Sequence, residues 1–270
     1  MRKSGYVVVG VFTLVLLATN SLVAQPPTAT FDLTNLSSGS QLLAGEFTSP
    51  YLGTINDGPT TAVICDDIAD NAVIPQEWTA YSTSLSSITS GAYGTPDPYL
   101  KFGTSGPVTG SDAVTPLGWS LSQAQAYEVA ALLAIDILST TGSVEADYSY
   151  ALWGLFDSTD SFTAALDAAD ESNAETYLNN AINEVVTSPA AVSSYLSNYD
   201  VTIYTYVPPS SGGMNPLCGP GLSTLCTADL LPPQEFITVP EASTPVLLAV
   251  DLLGFMALVG FLRKRVSQSV

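Results

Sequence analysis

The scarcity of basic residues constrains this chain more than any other feature of its sequence. Of its 270 residues, 25 are acidic and only six are basic. Five of the basic residues lie near the two ends, so Lys101 stands alone among the 24 acidic residues from Asp32 to Glu241, a net charge of −23. Salt bridges therefore cannot hold this part together. It also cannot bind nucleic acid or anionic lipid, because neutralising phosphates requires Lys or Arg.

The missing residue types argue against ordinary enzymes. The chain contains no His, which removes Ser-His-Asp and Cys-His catalysis and imidazole zinc sites. Between residues 25 and 240 it also contains no Arg, so no guanidinium can clamp a phosphate or carboxylate substrate. We expect a protein that is not an enzyme and has no catalytic residue, cofactor or metal site.

The N-terminus has the pattern of an export signal. Arg2-Lys3 is followed by the apolar stretch Val7–Ala18 and then by polar residues up to Ala24. This order predicts a signal peptide over residues 1–24, recognised by the Sec machinery and signal peptidase. Cleavage after Ser21 and an uncleaved signal anchor are the alternatives.

The C-terminus has the pattern of a membrane anchor. The apolar run Val246–Leu262, interrupted by Asp251, spans roughly 26 Å as a helix, just enough for a thin bilayer core. Behind it, the basic triplet Arg263, Lys264 and Arg265 predicts a cytoplasmic stop. The domain that precedes this helix is therefore expected outside the inner membrane.

The residues before this run carry a resemblance to a known family. The motif Val239-Pro240-Glu241-Ala242, the apolar span and the terminal basic cluster resemble the PEP-CTERM sorting signal, with Ala242 where a second Pro is usual. The resemblance implies residues 239–265 as a sorting signal cut by an exosortase, a membrane peptidase of exopolysaccharide-making Gram-negative bacteria. It also implies that the protein is anchored transiently in the inner membrane and then reaches the cell surface or extracellular matrix, where exopolysaccharide is a possible partner. A plain C-terminal anchor is the alternative.

Residues 25–207 are predicted to form one exported α+β domain with an antiparallel β-rich N-terminal half. Short apolar or β-branched pieces alternate there with turn residues. These pieces are Thr30–Leu33, Gln41–Thr48, Thr61–Ile64, Trp78–Leu85 and Tyr99–Phe102.

The middle of this domain is predicted to be helical, with a strand that returns to the sheet. Helices are expected at Leu121–Leu138 after a Ser120/Gln123 capping box, at Glu145–Phe156, over 161–186 with a second capping box at Ser172/Glu175, and from Pro189 to Tyr199. Val201–Val207 alternates as a strand does. Residues 208–238, rich in Pro, Gly and Ser, predict a linker to the membrane.

The sequence predicts a shared role for two of the three cysteines and a separate one for the third. Cys218 and Cys226 flank a short loop in the predicted linker, and in an oxidising compartment they are expected to form a disulfide. Cys65 is left over at the end of a strand. It is either a buried thiol followed by a hydrated turn or a reactive thiol.

The second interpretation of Cys65 depends on a fainter resemblance over residues 40–160. In the thioester domains of bacterial adhesins, a Cys after an apolar strand bonds to a Gln in an apolar-Gln-x-x-apolar-Trp motif. The segment from Tyr148 to Trp153 is similar, but Ser149 occupies the Gln position. The resemblance therefore implies a degenerate relative that forms no thioester there, and Trp153 is then a core aromatic residue.

The acidic clusters can be interpreted either as solvated surfaces or as functional sites. Asp66, Asp67 and Asp70 form one cluster, and none of the clusters fits a calcium loop. Solvated acidic faces are expected, with weak calcium binding or a glycosidase carboxylate pair as alternatives. The function expected from all these features is a structural or adhesive role at the cell surface, with a polysaccharide hydrolase as the alternative.

Overall fold

The computed structural model describes residues 24–68, 74–109, 119–157, 166–208 and 233–240. Within them a closed antiparallel barrel carries a layer of helices on its outer face. The strands are β1 Thr28–Leu36, β2 Leu42–Leu43, β3 Glu46–Phe47, β4 Tyr51–Ile55, β5 Thr61–Cys65, β6 Gln76–Ser84, β7 Val108–Thr109, β8 Ser120–Leu121, β9 Thr202–Tyr206 and β10 Phe236–Thr238. The helices are α1 Leu85–Ser90, α2 Gln123–Ser139, α3 Ser143–Phe156, α4 Ala168–Thr187 and α5 Pro189–Leu196.

Six strands close the barrel in the order β1-β4-β5-β10-β9-β6, and every neighbouring pair is antiparallel. Alternate residues of each strand point inwards, as in β1, where Ala29, Phe31 and Leu33 are buried. Aromatic rings fill the interior. Phe31 is their centre, with ring centroids 4.7 Å from Trp78 and 5.2 Å from Phe236. The barrel is therefore a packed core and not a channel.

The helical layer is built around α2. Ser122 caps its first turn in a reciprocal capping box with Gln125, two residues later than the predicted Ser120/Gln123 pair, which is wrong. Apolar residues lie on nearly every side of α2, and it packs against α1, α3, α4 and α5. The interpretation of α2 as a central buried helix is thereby confirmed.

The remaining predicted helices are present with shifted ends. Helix α3 begins two residues before the predicted Glu145. Helix α4 is capped by Asp167, whose side chain accepts from two backbone N–H groups, so the predicted Ser172/Glu175 box lies inside a helix and starts none. The returning strand β9 is confirmed. The predicted strand Tyr99–Phe102 is wrong, because these residues form an irregular loop.

The predicted end of the domain at residue 207, where the linker was expected to begin, is wrong. Residues 233–240, placed in the linker 208–238 and in the start of the sorting signal, form β10 and its flanks. Strand β10 pairs with β5 on one side and β9 on the other, and Phe236 and Ile237 are buried. The domain therefore extends beyond residue 207 to the edge of the sorting motif.

Several predictions fall outside the described residues. These are most of the signal peptide 1–24, the rest of the linker, the membrane helix Val246–Leu262 and the basic stop behind it. Among the helices of the described ranges, none combines the length and the apolarity needed to cross a membrane.

Candidate functional site

The pairing of β5 with β10 brings two short segments side by side. Phe236 lies opposite Cys65, so the sequence Cys65-Asp66-Asp67 runs past Gln234-Glu235. Side chains alternate along both strands. Cys65 belongs to the barrel core, whereas Asp66 and Glu235 lie on the outer face, against α2. One strand pair thus presents a thiol and an amide on one side and two carboxyl groups on the other.

The thiol and the amide are in direct contact. Cys65 Sγ lies 3.1 Å from Gln234 Oε1 and 3.0 Å from the backbone oxygen of Asp67, both acceptors for its S–H. Cys65 is fully buried and Gln234 is only 7% exposed. Two further hydrogen bonds fix the cysteine backbone. Its N–H donates to Ser49 Oγ at 2.9 Å, and its C=O accepts from Trp153 Nε1 at 3.0 Å.

The environment of Cys65 keeps its side chain neutral. Burial raises the pKa of the thiol well above its usual range, and the neighbouring carboxylates of Asp67 and Asp66 add to the effect. A thiol of this kind does not react by ionising in water. Its reactivity depends on the groups that it already touches, and among these is the side-chain amide of Gln234.

The acidic side of the strand pair is a hydrogen-bonded cluster. Glu235 accepts from the Tyr127 hydroxyl at 2.5 Å, from the Lys101 backbone N–H at 3.0 Å and from the Thr205 hydroxyl. The side chain of Asp66 lies beside it, and both carboxyl oxygens of Asp66 are buried and accept no hydrogen bond from a donor among the described residues. Since a carboxylate cannot donate, two neighbouring buried acids can be satisfied only if one of them carries a proton and donates it to the other.

We assign the proton to Asp66. Burial raises the pKa of Asp66 well above its usual range, with the charges of Glu235 and Asp67 adding to the rise. Burial also raises the pKa of Glu235, but the hydrogen bonds from Thr205, Tyr127 and Lys101 counteract it. Glu235 is therefore the ionised partner and Asp66 the protonated donor.

The only basic residue of the domain lies beside this cluster. Lys101 Nζ forms a salt bridge with Asp67 Oδ2, and the Asp67 side chain is 1% exposed against 27% for Lys101. The ammonium also lies 5.4 Å from the centroid of the Phe102 ring. This contact is the ion pair that the structure shows among the described residues.

A surface pocket of about 260 Å³ opens onto the cluster. Leu100, Lys101, Thr205 and Glu235 contribute to its lining, and the rest is aromatic or cyclic. The aromatic and cyclic residues are Tyr81, Pro98, Tyr99, Tyr206, Pro208 and Pro233. The cluster is thus buried but has one route to solvent.

The acid pair predicts an unusual dependence of stability on pH. A carboxyl whose pKa is raised by folding stabilises the native state below its unfolded pKa, and this stabilisation is lost as the pH rises through the folded pKa. The melting temperature should therefore rise as the pH is lowered from a mildly alkaline value towards the usual pKa of an aspartic acid. In Asp66→Asn the amide replaces the protonated acid as donor to Glu235, so the variant should melt higher than the parent at the upper pH and show a flatter profile.

Each unit by which the pKa of Asp66 is raised corresponds to about 1.4 kcal/mol of unfolding free energy at high pH. Thermal melts of the two proteins across the pH range measure the effect. Asp200→Asn, on the surface, is the control and should reproduce the parent profile. If the parent lost stability on acidification, and the melting temperature of Asp66→Asn fell with the same slope, the assignment of a proton to Asp66 would be contradicted.

The structure changes the interpretation of three residues singled out in the sequence. Cys65 is buried, as one interpretation held, but the turn after it is not hydrated. Asp66 and Asp67 are 0% and 1% exposed, so a solvated acidic face is wrong for them. Ser149, at the position of the expected Gln, bonds to the backbone oxygen of Glu145 in its own helix.

Two residues of the site were missed in the sequence, Gln234 and Glu235. Both were assigned to the linker because prolines surround them. A signal was present: Phe236-Ile237-Thr238-Val239 is a β-type run that follows Pro232-Pro233 with two residues between them. Recognising it as a strand would have placed both polar residues at a strand start.

The sorting motif and the disulfide lie largely beyond the described residues. Val239 is packed against the helical core and Pro240 is exposed at its edge. The other predicted positions lie outside the described ranges. They are Glu241, Ala242, Cys218, Cys226, Arg263, Lys264 and Arg265.

No cluster of side chains suited to a metal ion occurs within the ranges that the structure describes. Comparisons with protein-family models, curated proteins and solved structures found no match.

Proposed function

We propose that this protein is exported, sorted to the cell surface and attached there to its target through an internal thioester between Cys65 and Gln234. The observation that supports this proposal is the contact of 3.1 Å between the thiol sulfur and the amide oxygen, both buried at the end of the barrel. The faint resemblance to adhesin thioester domains covers residues 40–160 and bears on Cys65 alone, since the glutamine proposed here lies outside it, two residues before β10.

The bond forms by exchange within the folded domain. Cys65 Sγ attacks the amide carbon of Gln234, the carbon–nitrogen bond breaks, and the nitrogen leaves as ammonia with the thiol proton. The product is an acyl thioester, which an incoming nucleophile later opens, leaving the Gln234 acyl group on the target and a free thiol on Cys65.

The surroundings of the pair suit such a bond. The two backbone hydrogen bonds of Cys65, one donated to Ser49 and one accepted from Trp153, fix the backbone that carries the sulfur, which replaces a chance encounter by a fixed approach. Burial at the barrel end excludes the water that would hydrolyse a thioester. The adhesive role follows from this arrangement.

The limits of the domain support the export part of the proposal. The first barrel strand begins at Thr28, just after the predicted signal peptide, and the last ends at Thr238, just before Val239-Pro240-Glu241. In this proposal the segment 246–262 is the transient membrane helix, and an exosortase-type peptidase cuts near Pro240-Glu241. The protein then reaches the cell surface or the exopolysaccharide matrix.

The hydrolase alternative has less support. Glycosidases separate their two carboxyl groups by about 5 to 9.5 Å so that the sugar and a water fit between them. Asp66 and Glu235 are instead neighbours, and both are almost completely buried. A buried pair of adjacent acids leaves no room for the scissile bond and a water.

Intact mass spectrometry of the reduced secreted protein tests the thioester. Formation of the bond releases ammonia, so the mass should be about 17 Da below that of the sequence, and methylamine should abolish the deficit by opening the bond. Cys65→Ala and Gln234→Asn should both lack it. Ser149→Ala, at the position of the expected Gln, is the matched control and should retain it. A full sequence mass with an alkylatable Cys65 in the unmodified protein would rule out the thioester.

The same spectra test export and sorting. A supernatant species that starts near Gln25 and ends near Glu241 is expected. Tail-containing protein found only in the membrane fraction would contradict release at the sorting motif, whatever the state of Cys65.

A further inference from the structure

The salt bridge between Lys101 and Asp67 has an unusual setting. Asp67 is almost completely buried, and the lysine that reaches it is the only Lys between residues 25 and 240. The loop of Lys101 is pinned at this place. Its N–H donates to Glu235, the preceding Leu100 is buried, and the N–H of Phe102 donates to Tyr127 Oη at 3.4 Å. These contacts fix the backbone of Lys101 next to the carboxyl group of Asp67.

Two groups able to carry protons border this ion pair. Asp66 is the chain neighbour of Asp67, and it is the protonated member of the acid pair. Glu235 is ionised and touches the Lys101 backbone. An amide forms from a neutral amine and a neutral acid, so a proton has to pass from the ammonium to the carboxylate before the bond can form. The loss of hydration in a partly buried ion pair favours that transfer.

We propose that Lys101 and Asp67 become joined by an isopeptide bond between Nζ and Cγ. Lys101 Nζ attacks Cγ of Asp67, and one carboxyl oxygen leaves as water. Two of the three ammonium protons leave with that oxygen and the third stays on the amide nitrogen, so no oxidant or other reactant is consumed. Asp66 donates a proton to the departing oxygen, and Glu235 accepts one from the nitrogen. The water leaves through the pocket that Lys101 and Glu235 line.

The bond goes beyond the proposed thioester and involves a different pair of residues. It closes a loop from residue 67 to residue 101 and links the end of β5 covalently to the loop that covers the acid cluster. It also replaces a partly buried ion pair by a neutral amide, which removes the cost of desolvating two charges. Such a cross-link strengthens the wall of the barrel next to the thiol–amide pair.

Trypsin provides a direct test, because Lys101 is the only Lys or Arg from residue 25 to residue 240. The secreted protein is treated with hydroxylamine to open any thioester, reduced, denatured and digested. Free Lys101 permits one cut, giving fragments 25–101 and 102–240. Amidated Lys101 is not a trypsin site, so the chain should stay intact and its mass before hydroxylamine should show an additional loss of about 18 Da.

Two variants that cannot form the cross-link serve as controls for the digestion. Lys101→Arg keeps the charge but should form no cross-link, so it should be cut completely and should melt about 8–15 °C below the parent. Asp67→Ala leaves Lys101 with no acyl partner and should also be cut. Complete cleavage of the wild-type chain, without the loss of water, would overturn the proposal.

The masses separate this proposal from the thioester. A deficit of about 17 Da that methylamine abolishes, together with complete tryptic cleavage, would support the thioester alone. A deficit of about 18 Da with resistance to trypsin would support the isopeptide bond alone. About 35 Da indicates both bonds.

Discussion

A chain that ends at Pro232 should fail to fold, whereas one that ends at Pro240 should fold fully. The eight residues between these ends supply β10, which pairs with β5 on one side and β9 on the other. Without it the barrel has two open edges and loses the buried side chains of Phe236 and Ile237. Burying such side chains contributes about 1.5–3 kcal/mol each, a large part of the stability of an ordinary domain.

Thermal unfolding followed by near-ultraviolet circular dichroism measures the effect. Both chains should begin at Gln25, so that the eight residues are the only difference. The longer chain should show one cooperative transition, and the shorter one should lack the near-ultraviolet signal of its packed aromatic rings. Cooperative melting of the shorter chain within a few degrees of the longer one would show that β10 is not a structural strand.

Replacing Phe31 by Ala should destabilise the domain by about 3–5 kcal/mol, the usual cost of removing a fully buried phenyl ring. Phe31 is 0% exposed and stacks among Trp78, Tyr204 and Phe236, with centroid distances of 4.7, 5.3 and 5.2 Å. These rings come from four different strands, so the cavity cannot close without moving the barrel wall.

Urea denaturation of the parent and the variant gives the change in the free energy of unfolding. Phe47→Ala is the matched control. Its ring is 47% exposed, and its backbone oxygen, which accepts from the Tyr51 hydroxyl, is kept in the variant. The control should change stability by less than about 1 kcal/mol. Equal losses in the two variants would mean that Phe31 is not at the centre of the core.

The elements that the sequence predicts well are those with a strong local period. Helix α2 is long and apolar on nearly all sides, and β9 alternates over its whole length, so their existence depends little on distant residues. Strand pairing is different. The closure of β1 to β6 and of β5 to β10 joins residues far apart in the chain, and no local pattern encodes which edges meet.

The candidate site was harder to predict because its chemistry contradicts the local signal. Adjacent aspartates such as Asp66 and Asp67 normally indicate a hydrated turn. Here they are buried because Lys101 and Glu235, from distant segments, provide a counter-charge and a hydrogen-bond partner. Gln234 became visible only when β10 placed it against Cys65. Cys65 itself could be singled out, since the sequence predicts export and a leftover thiol is uncommon in exported proteins.

The isolation of Lys101 has a consequence for how copies of this protein behave together. An acyl thioester is attacked readily by primary amines, and lysine is the usual source of them on a protein surface. Between residues 25 and 240 the chain offers one lysine, and that one is engaged by Asp67. In the proposed thioester form, a dense layer of such molecules would therefore present almost no amine to its own reactive bonds beyond each chain's N-terminus. The composition would suppress self-coupling and leave the acyl group for a foreign acceptor.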